Sequence, residues 1–271
     1  MTTILHDTLP YDAFDPRHLR LPGTQPDSPD SWLSVDDRFA AQMALRDRLV
    51  AERPEVVLAD TGQANVALAE LRATVLAQLE ATPGYVVGVG QVVRPDGVAV
   101  PLDLPTLPLL ARLVQEDICL LDKPLGETEH RLMAAAVCFP ANWALAEKIG
   151  RPLGAIHHPV APYDADMARR VQRLFDGIAP GWPMYRVNRL PTYLSDLHTP
   201  KSEAAPRRDQ GPRRPTCGPR GRGCCACPRA GRWSSPSTPT WCVARVRAPN
   251  SDRADPGCRM SSERGSTLLI F

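Results

Sequence analysis

Residues 115–163 read QEDICLLDKPLGETEHRLMAAAVCFPANWALAEKIGRPLGAIHHPVAPY, and this stretch decides the fold class. Residues 118–121 (ICLL) and 132–139 (LMAAAVCF) are apolar runs of strand length, and Asp122, Lys123, Pro124 and Gly126 between them are turn formers. The spacing predicts two paired strands. Pro140 and Asn142 close the second strand, and Trp143, Leu145, Ala146 and Ile149 predict a helix that Gly150 and Pro152 end. Next, Pro159 disfavours helical geometry at His158, so residues 155–160 are expected to be an extended or turn segment bearing His157 and His158. Such a segment can aim an imidazole into a cavity.

Working outward, Ser34 and Asp37 resemble a capping box for a helix bearing Phe39, Met43, Leu45, Leu49 and Val50, which ends before Pro54. A second helix is expected over 65–79, with Leu68, Leu71, Val75, Leu76 and Leu79 on one face, and Pro83-Gly84 stops it. Strands over 85–93 and 98–102 flank the Asp96-Gly97 turn; a short helix follows over 107–114. A longer helix over 163–178 turns Met167, Val171, Leu174, Phe175 and Ile178 inward, and 184–190 reads as a strand. Gly88-Val89-Gly90 is no dinucleotide fingerprint, because the third glycine and the following helix are missing.

The composition, 43% hydrophobic over 271 residues, suffices for a real core, and no apolar run approaches membrane-spanning length. Without a secretory pattern at its start, the chain is expected to be cytoplasmic, with no membrane partner. A net charge of +2 hides two opposite parts: residues 206–271 hold 13 Arg, no Lys and 4 acidic residues, a net of +9, which leaves −7 for residues 1–205. Six of the eight cysteines and nine prolines also fall in 206–271. The expected organisation is a lead segment over 1–33, a folded domain over 34–205 and a disordered tail over 206–271.

A zinc-bound nucleic-acid module would explain basic charge with cysteines, but Cys224-Cys225-Ala226-Cys227 lacks the two-residue ligand spacing and no paired second set follows. No nucleic-acid partner is expected. The genetic code offers another reading. Joining the last base of each codon to the first two of the next turns Cys224-Cys225 into Leu, and turns Trp241-Cys242 into Val. A polar, Cys-rich string that hides an apolar run in another frame favours out-of-frame translation, with the junction between Pro200 and Arg214. A sheet that lost its terminal strand this way would have an open edge and an inactive or unstable product.

The segments 115–121, His130-Arg131-Leu132, Val137-Cys138-Phe139-Pro140, 143–153, Ile156-His157 with Pro159-Val160, and Arg186-Val187-Asn188 resemble the haem-dependent oxidative N-demethylase alpha-subunit family over roughly residues 30–200. The resemblance implies an α/β (α+β) fold, with a PAS-like antiparallel sheet and flanking helices around haem b. It implies oxygen-dependent removal of a methyl group from a small secondary amine such as dimethylamine, with release of formaldehyde. The implied partner is a reductase subunit with flavin, an iron–sulfur cluster and NADPH. Such chemistry needs one protein ligand on iron, an open position for oxygen and groups that hold the amine.

On the family pattern His157 is the first choice as axial metal ligand and His130 the second. Arg131 and Arg151 could pair with haem propionates, which suit the guanidinium fork. Glu116 and Asp117 could anchor the amine or relay protons, and Tyr163 and Trp143 could line the pocket and stack on the substrate cation. Each has a plainer counterpart: a hydrogen-bonded structural histidine, a surface arginine, a capping acid, a packed core ring. Cys119 and Cys138 resemble inert buried thiols. A PAS-like haem-binding sensor without turnover is the alternative function, because fold alone does not decide chemistry.

Overall fold

The computed structural model describes Ile4, residues 24–28, 32–158, 163–179, 182–185 and 196–205, and the backbone of 242–245 and 267–270. In chain order the elements are β1 (Gln25–Pro26), α1 (Phe39–Glu52), α2 (Pro54–Val57), β2 (Leu58–Asp60), α3 (Asn65–Ala81), β3 (Val86–Val87), β4 (Gln91–Val93) and β5 (Ala99–Pro101). There follow α4 (Thr106–Leu113), β6 (Ile118–Asp122), β7 (Arg131–Ala136), a 3-10 turn at Leu145–Glu147, α5 (Leu153–His157), α6 (Ala165–Gly177), β8 (Met184–Tyr185), β9 (Cys242–Arg245) and β10 (Thr267–Ile270). The class is mixed α/β. The main sheet has the strand order β1-β8-β9-β10-β6-β7-β2, and β3-β4-β5 form a separate three-stranded sheet; every named strand pair is antiparallel.

The β6–β7 hairpin divides the core. Alternation along β6 sends Ile118 and Leu120 to one face, with Ala134 and Ala136, against α3 and α4; Cys119 and Leu121 go to the other face, with Leu132 and Ala135. A register shift beside Leu120 and Leu121 sets Met133 with Ala134 on the α3–α4 side, as the extra residue of a bulge does. On that side Leu71, Val75, Leu79, Leu109, Leu110 and Leu113 are shut off from solvent, each such side chain stabilising the fold by about 1.5–3 kcal/mol. The opposite face packs against Leu145, Leu153, Phe175 and Ile178 from the 3-10 turn, α5 and the end of α6. Both faces of the hairpin are therefore covered.

Several expectations change. Ser34 does not cap α1: the residue before the helix is Arg38, without a side-chain cap, and the Ser34 amide donates instead to Glu116 at 2.7 Å. The expected helix over 143–149 shrinks to the 3-10 turn, because the chain is drawn back along β7. Gly150, at φ 74, donates to the Leu132 carbonyl, and the Leu132 amide donates to Arg151. His157 does not lie on an extended segment but ends α5, and His158 keeps φ −48 and ψ −37 although Pro159 disfavours that geometry. The expected strand over 85–93 divides into β3 and β4, with Gly88 to Gly90 between them. The short elements α2 and β2 had no signal beyond Pro54, which suits a first helical turn.

Of the strand expected over 184–190, residues 186–190 lie outside the described residues. Most of 206–271 lies there too, but its backbone at β9 and β10 enters the sheet: Thr267–Ile270 pairs with Leu121–Ile118. On this side β6 has β10 as its partner strand. Among the described residues no helix is long and apolar enough to cross a membrane.

Candidate functional site

The antiparallel register separates the expected site residues into two groups. Ile118 pairs with Ala136 and Asp122 with Arg131, so Glu116 and Asp117 lie before one end of the hairpin, while His130 and Arg131 lie at the other. Five strand residues span about 16 Å. The acidic pair is therefore not brought to the histidines.

At the acidic end, Asp117 is buried and fully engaged. It accepts from Arg46 Nη1 at 2.7 Å and from the amides of Cys138 and Phe139 at 2.8 Å each. Arg46, with no exposed surface, also donates to the carbonyls of Ala111, Gln115 and Glu116 and lies 5.2 Å over the Phe139 ring. Sequence reasoning missed this arginine, since a charge on a helix face normally signals solvent. Glu116 accepts from Ser34 through Oε1, its Oε2 is buried without a partner among the described residues, and burial pushes its carboxyl up to about 7.

At the other end, α5 gathers most of the remaining candidates. His130 is buried at the head of β7, and its carbonyl accepts from Leu153, the first residue of α5. Gln172 of α6 meets His130 twice through one oxygen: Oε1 lies 3.2 Å from the His130 amide and 2.9 Å from Nδ1. A backbone amide can only donate, so that atom is the Gln172 oxygen and Nδ1 must carry a proton. The Nε2 lone pair of His130 is then fixed. His157 reaches the same state by another route, since its Nδ1 lies 3.0 Å from the Leu153 carbonyl and must donate to it. Burial lowers the pKa of both imidazoles.

The Tyr163 ring stacks on His157 at 4.6 Å and 19°, which takes up one ring face expected for a substrate cation. Its hydroxyl is buried without a partner among the described residues, and burial, with help from Glu129, pushes its pKa up to about 12. Glu129 accepts from the Gly154 amide at 2.7 Å, and a Cβ on Gly154 would come within 2.9 Å of that carboxylate. Glu129 and Gln172 were both missed from sequence. Arg131 already holds Glu127 and the Gly150 carbonyl, and the exposed Arg151 lies 3.8 Å from Glu203. Trp143 packs into the core, and His158 is exposed. Burial raises both Cys119 and Cys138, the latter to about 12, which opposes thiolate ligation.

A cleft of about 370 Å³ lies elsewhere, between β2 and the first turns of α3 and α4, lined by residues such as Leu58, Asp60, Asn65, Leu68 and Pro105. None of the expected site residues lines it, and Asp60 already accepts from the Gly62 amide. No group of three or more His, Cys, Asp or Glu among the described residues could hold a metal ion between them.

A family profile described as haem-dependent oxidative N-demethylase, alpha subunit-like, matches residues 23–217. The chain belongs to this family. Membership in the N-demethylase alpha-subunit-like family makes it a haem-dependent oxidoreductase subunit by kinship. The donor set at the α5 end of the hairpin fits a haem iron: two imidazoles with the proton on Nδ1 and the lone pair on Nε2, and two buried polar atoms, Tyr163 Oη and Gln172 Nε2, that lack partners among the described residues. A comparison with curated proteins gives no match.

Proposed function

We propose that the chain is the haem-binding subunit of an oxygen-dependent N-demethylase acting on a small secondary amine such as dimethylamine, with formaldehyde released. The observation that carries this reading is the family match over residues 23–217. Haem b would supply the oxygen-activating iron, and a partner reductase with flavin, an iron–sulfur cluster and NADPH would supply electrons. His157 would hold the iron, ahead of His130. The Nδ1 bond to Leu153 supports it, because that bond orients the ring for ligation through Nε2, while burial favours the neutral form. Stacking on Tyr163 would hold the ring plane, and Glu129, bound at the start of α5, would hold the helix that carries it.

Arg131 and Arg151 remain the proposed propionate partners, on the condition that Glu127 and Glu203 yield them. Glu116 and Asp117, at the opposite end of the hairpin, receive no proposed part in amine binding. Asp117 is saturated by three hydrogen bonds, and the geometry supports a structural role for it. The proposed domain spans 34–205, arranged as a PAS-like sheet with flanking helices. The proposed location is the cytoplasm.

The catalytic competence of this chain is proposed to be impaired by translation out of frame after a junction between Pro200 and Arg214. The change of charge and cysteine content near residue 205 supports this, as does the end of the family match at 217. The nucleotide sequence over codons 200–215 tests it: one inserted or deleted base is expected, and an unbroken frame sinks the idea.

Amine-dependent oxygen consumption and formaldehyde release, measured with haem-loaded chain and reductase, test the function. For this chain the expected result is a Soret band with turnover well below that of a version carrying the restored frame. Haem binding with no turnover in either version would favour the sensor reading.

A further inference from the structure

α5 is only five residues long, Leu153–His157, and carries the histidine proposed for the iron. A helix of that length does not hold itself together, because its few internal hydrogen bonds do not offset the cost of nucleation. Its order comes from groups outside it. At its start Glu129 accepts from the Gly154 amide at 2.7 Å. In its last turn, where carbonyls lack an intrahelical partner, Lys148 Nζ donates to the Ile156 carbonyl at 2.8 Å. Lys148 therefore grips the residue next to His157 in the chain.

Lys148 follows the 3-10 turn and is only 4% exposed. A buried ammonium needs a counterion, and the Glu203 carboxylate supplies it by accepting from the same Nζ. Arg151 also approaches Glu203, at a looser 3.8 Å. Glu203 is itself held. Glu147, the neighbour of Lys148, accepts from the Glu203 amide at 2.9 Å and from the Ser202 hydroxyl. Upstream, Thr199 Oγ1 donates to the Pro140 carbonyl, His198 Nδ1 donates to the Cys138 carbonyl at 2.8 Å, and Leu197 is buried in one cluster with Leu49, Val57 and Phe139. The segment over 196–205 is thus stitched along residues 138–148, and its last bonds reach α5 through Lys148.

We propose that Lys148 is a positioning residue for His157, that Glu203 keeps its ammonium in place, and that residues 196–205 thereby serve the haem site through α5. This rests on the reading of His157 as the iron ligand, whereas the hold on α5 does not. Because Nδ1 of His157 is bonded to the Leu153 carbonyl, the ring follows the α5 backbone. Fixing that backbone at both Gly154 and Ile156 fixes where Nε2 points. A loose α5 would spread Nε2 over several directions and weaken ligation.

The test uses the full chain and two variants. Lys148→Met keeps the apolar stem and removes the donor; Glu203→Gln keeps an acceptor and removes the charge. In the haem-free chain, hydrogen exchange followed by NMR should show the Ile156 and His157 amides exchanging at least about tenfold faster in Lys148→Met, through loss of one hydrogen bond to a charged group, with β6 and β7 unchanged. Glu203→Gln should act in the same direction by less. On haem titration, affinity should fall at least about tenfold in Lys148→Met, and the iron–histidine stretch of the ferrous form in resonance Raman should shift or broaden. A purely structural lysine would instead lower the urea midpoint and speed exchange over α5 and the hairpin alike, leaving that band where it is. Unchanged α5 exchange in both variants, a rise shared equally by the hairpin, or an unchanged band and affinity overturns the proposal. The wild type supplies a check that needs no variant, so misfolding does not protect the idea. Its Glu203 and Ile156 amides should open as one unit, with protection alike within about threefold and the same dependence on urea; unlike protection and slopes overturn the proposal as well. A wild type without a Soret band removes the functional reading, while exchange still decides whether Lys148 and Glu203 hold α5.

Discussion

Arg46 Nη1 lies 2.7 Å from Asp117 Oδ1, with side-chain exposures of 0% and 3%, so the pair joins α1 to the start of β6 out of reach of water. Three carbonyls complete the guanidinium and two backbone amides complete the carboxylate. Removing either partner leaves a buried charge with no counterion. Asp117→Ala and Arg46→Met are each expected to cost about 3–5 kcal/mol, read as a lower urea midpoint. The double variant should cost less than the sum of the two, because it removes both charges. A single variant with an unchanged midpoint would remove the structural role given to Asp117.

Glu116 next to this pair sets a pH dependence of stability. Burial raises its native pKa from 4.5 to about 7, although the Ser34 amide and Arg46 pull the other way. Between those values the folded chain keeps a proton that the unfolded chain has released. This contribution to stability is therefore complete below the unfolded pKa and fades as pH rises toward 7. The loss is at most about 3 kcal/mol, from 1.36 kcal/mol per pKa unit. Glu116→Gln should flatten this limb of a plot of urea midpoint against pH. A wild-type midpoint that rises from pH 4.5 to 7 and is unchanged in Glu116→Gln would contradict the assignment.

The hairpin and the α3 and α4 stripes were legible because periodicity records burial: Leu68, Leu71, Val75 and Leu79 follow helical spacing and all are buried. The α5 end was not, for physical reasons. Gly150 and Pro152 read as the end of a helix, but Gly150 serves to turn the chain back to β7. The Ile-His-His-Pro sequence reads as extended because Pro159 acts on its neighbour, and the structure accommodates His158 in helical geometry regardless. Among the candidate site residues, the sequence and its family pattern singled out His130, His157 and Tyr163. Gln172 and Glu129 carry no sequence signal, because their roles come from partners 42 and 25 residues away. Glu116 and Asp117 stand out as an acidic pair, and only register reveals that they lie at the opposite end of the hairpin from His130 and Arg131.

The two histidines make separable predictions. His157→Ala should abolish the Soret band on haem titration or weaken haem binding at least about tenfold, the lower end of what even supporting partners of a ligand contribute. Added imidazole should restore the band in this variant. His130→Ala should retain the band but lower stability by about 1–3 kcal/mol, since the Gln172 oxygen loses a donor. If His130→Ala loses the band and His157→Ala keeps it, the roles are reversed.

The tail makes a further prediction through β10, whose Thr267–Ile270 backbone pairs with residues 121 to 118 of β6 while β9 pairs on its other side. Deleting 206–271 removes both strands and leaves the amides and carbonyls of Ile118 to Leu121 unpaired along one edge. These four residues are apolar and buried, so their uncovered backbone offers a template for pairing with another chain. The truncated chain is therefore expected to self-associate, seen as rising light scattering with concentration at pH 7.5 while the full chain stays clear. Ile118→Lys in the truncated chain would not rescue it without opening the α3–α4 core, so the cleaner comparison is a chain in which residues 206–271 follow the restored frame. That chain should be at least as soluble as the full one. A truncated chain that remains monomeric by sedimentation would mean that β9 and β10 do not protect the hairpin edge.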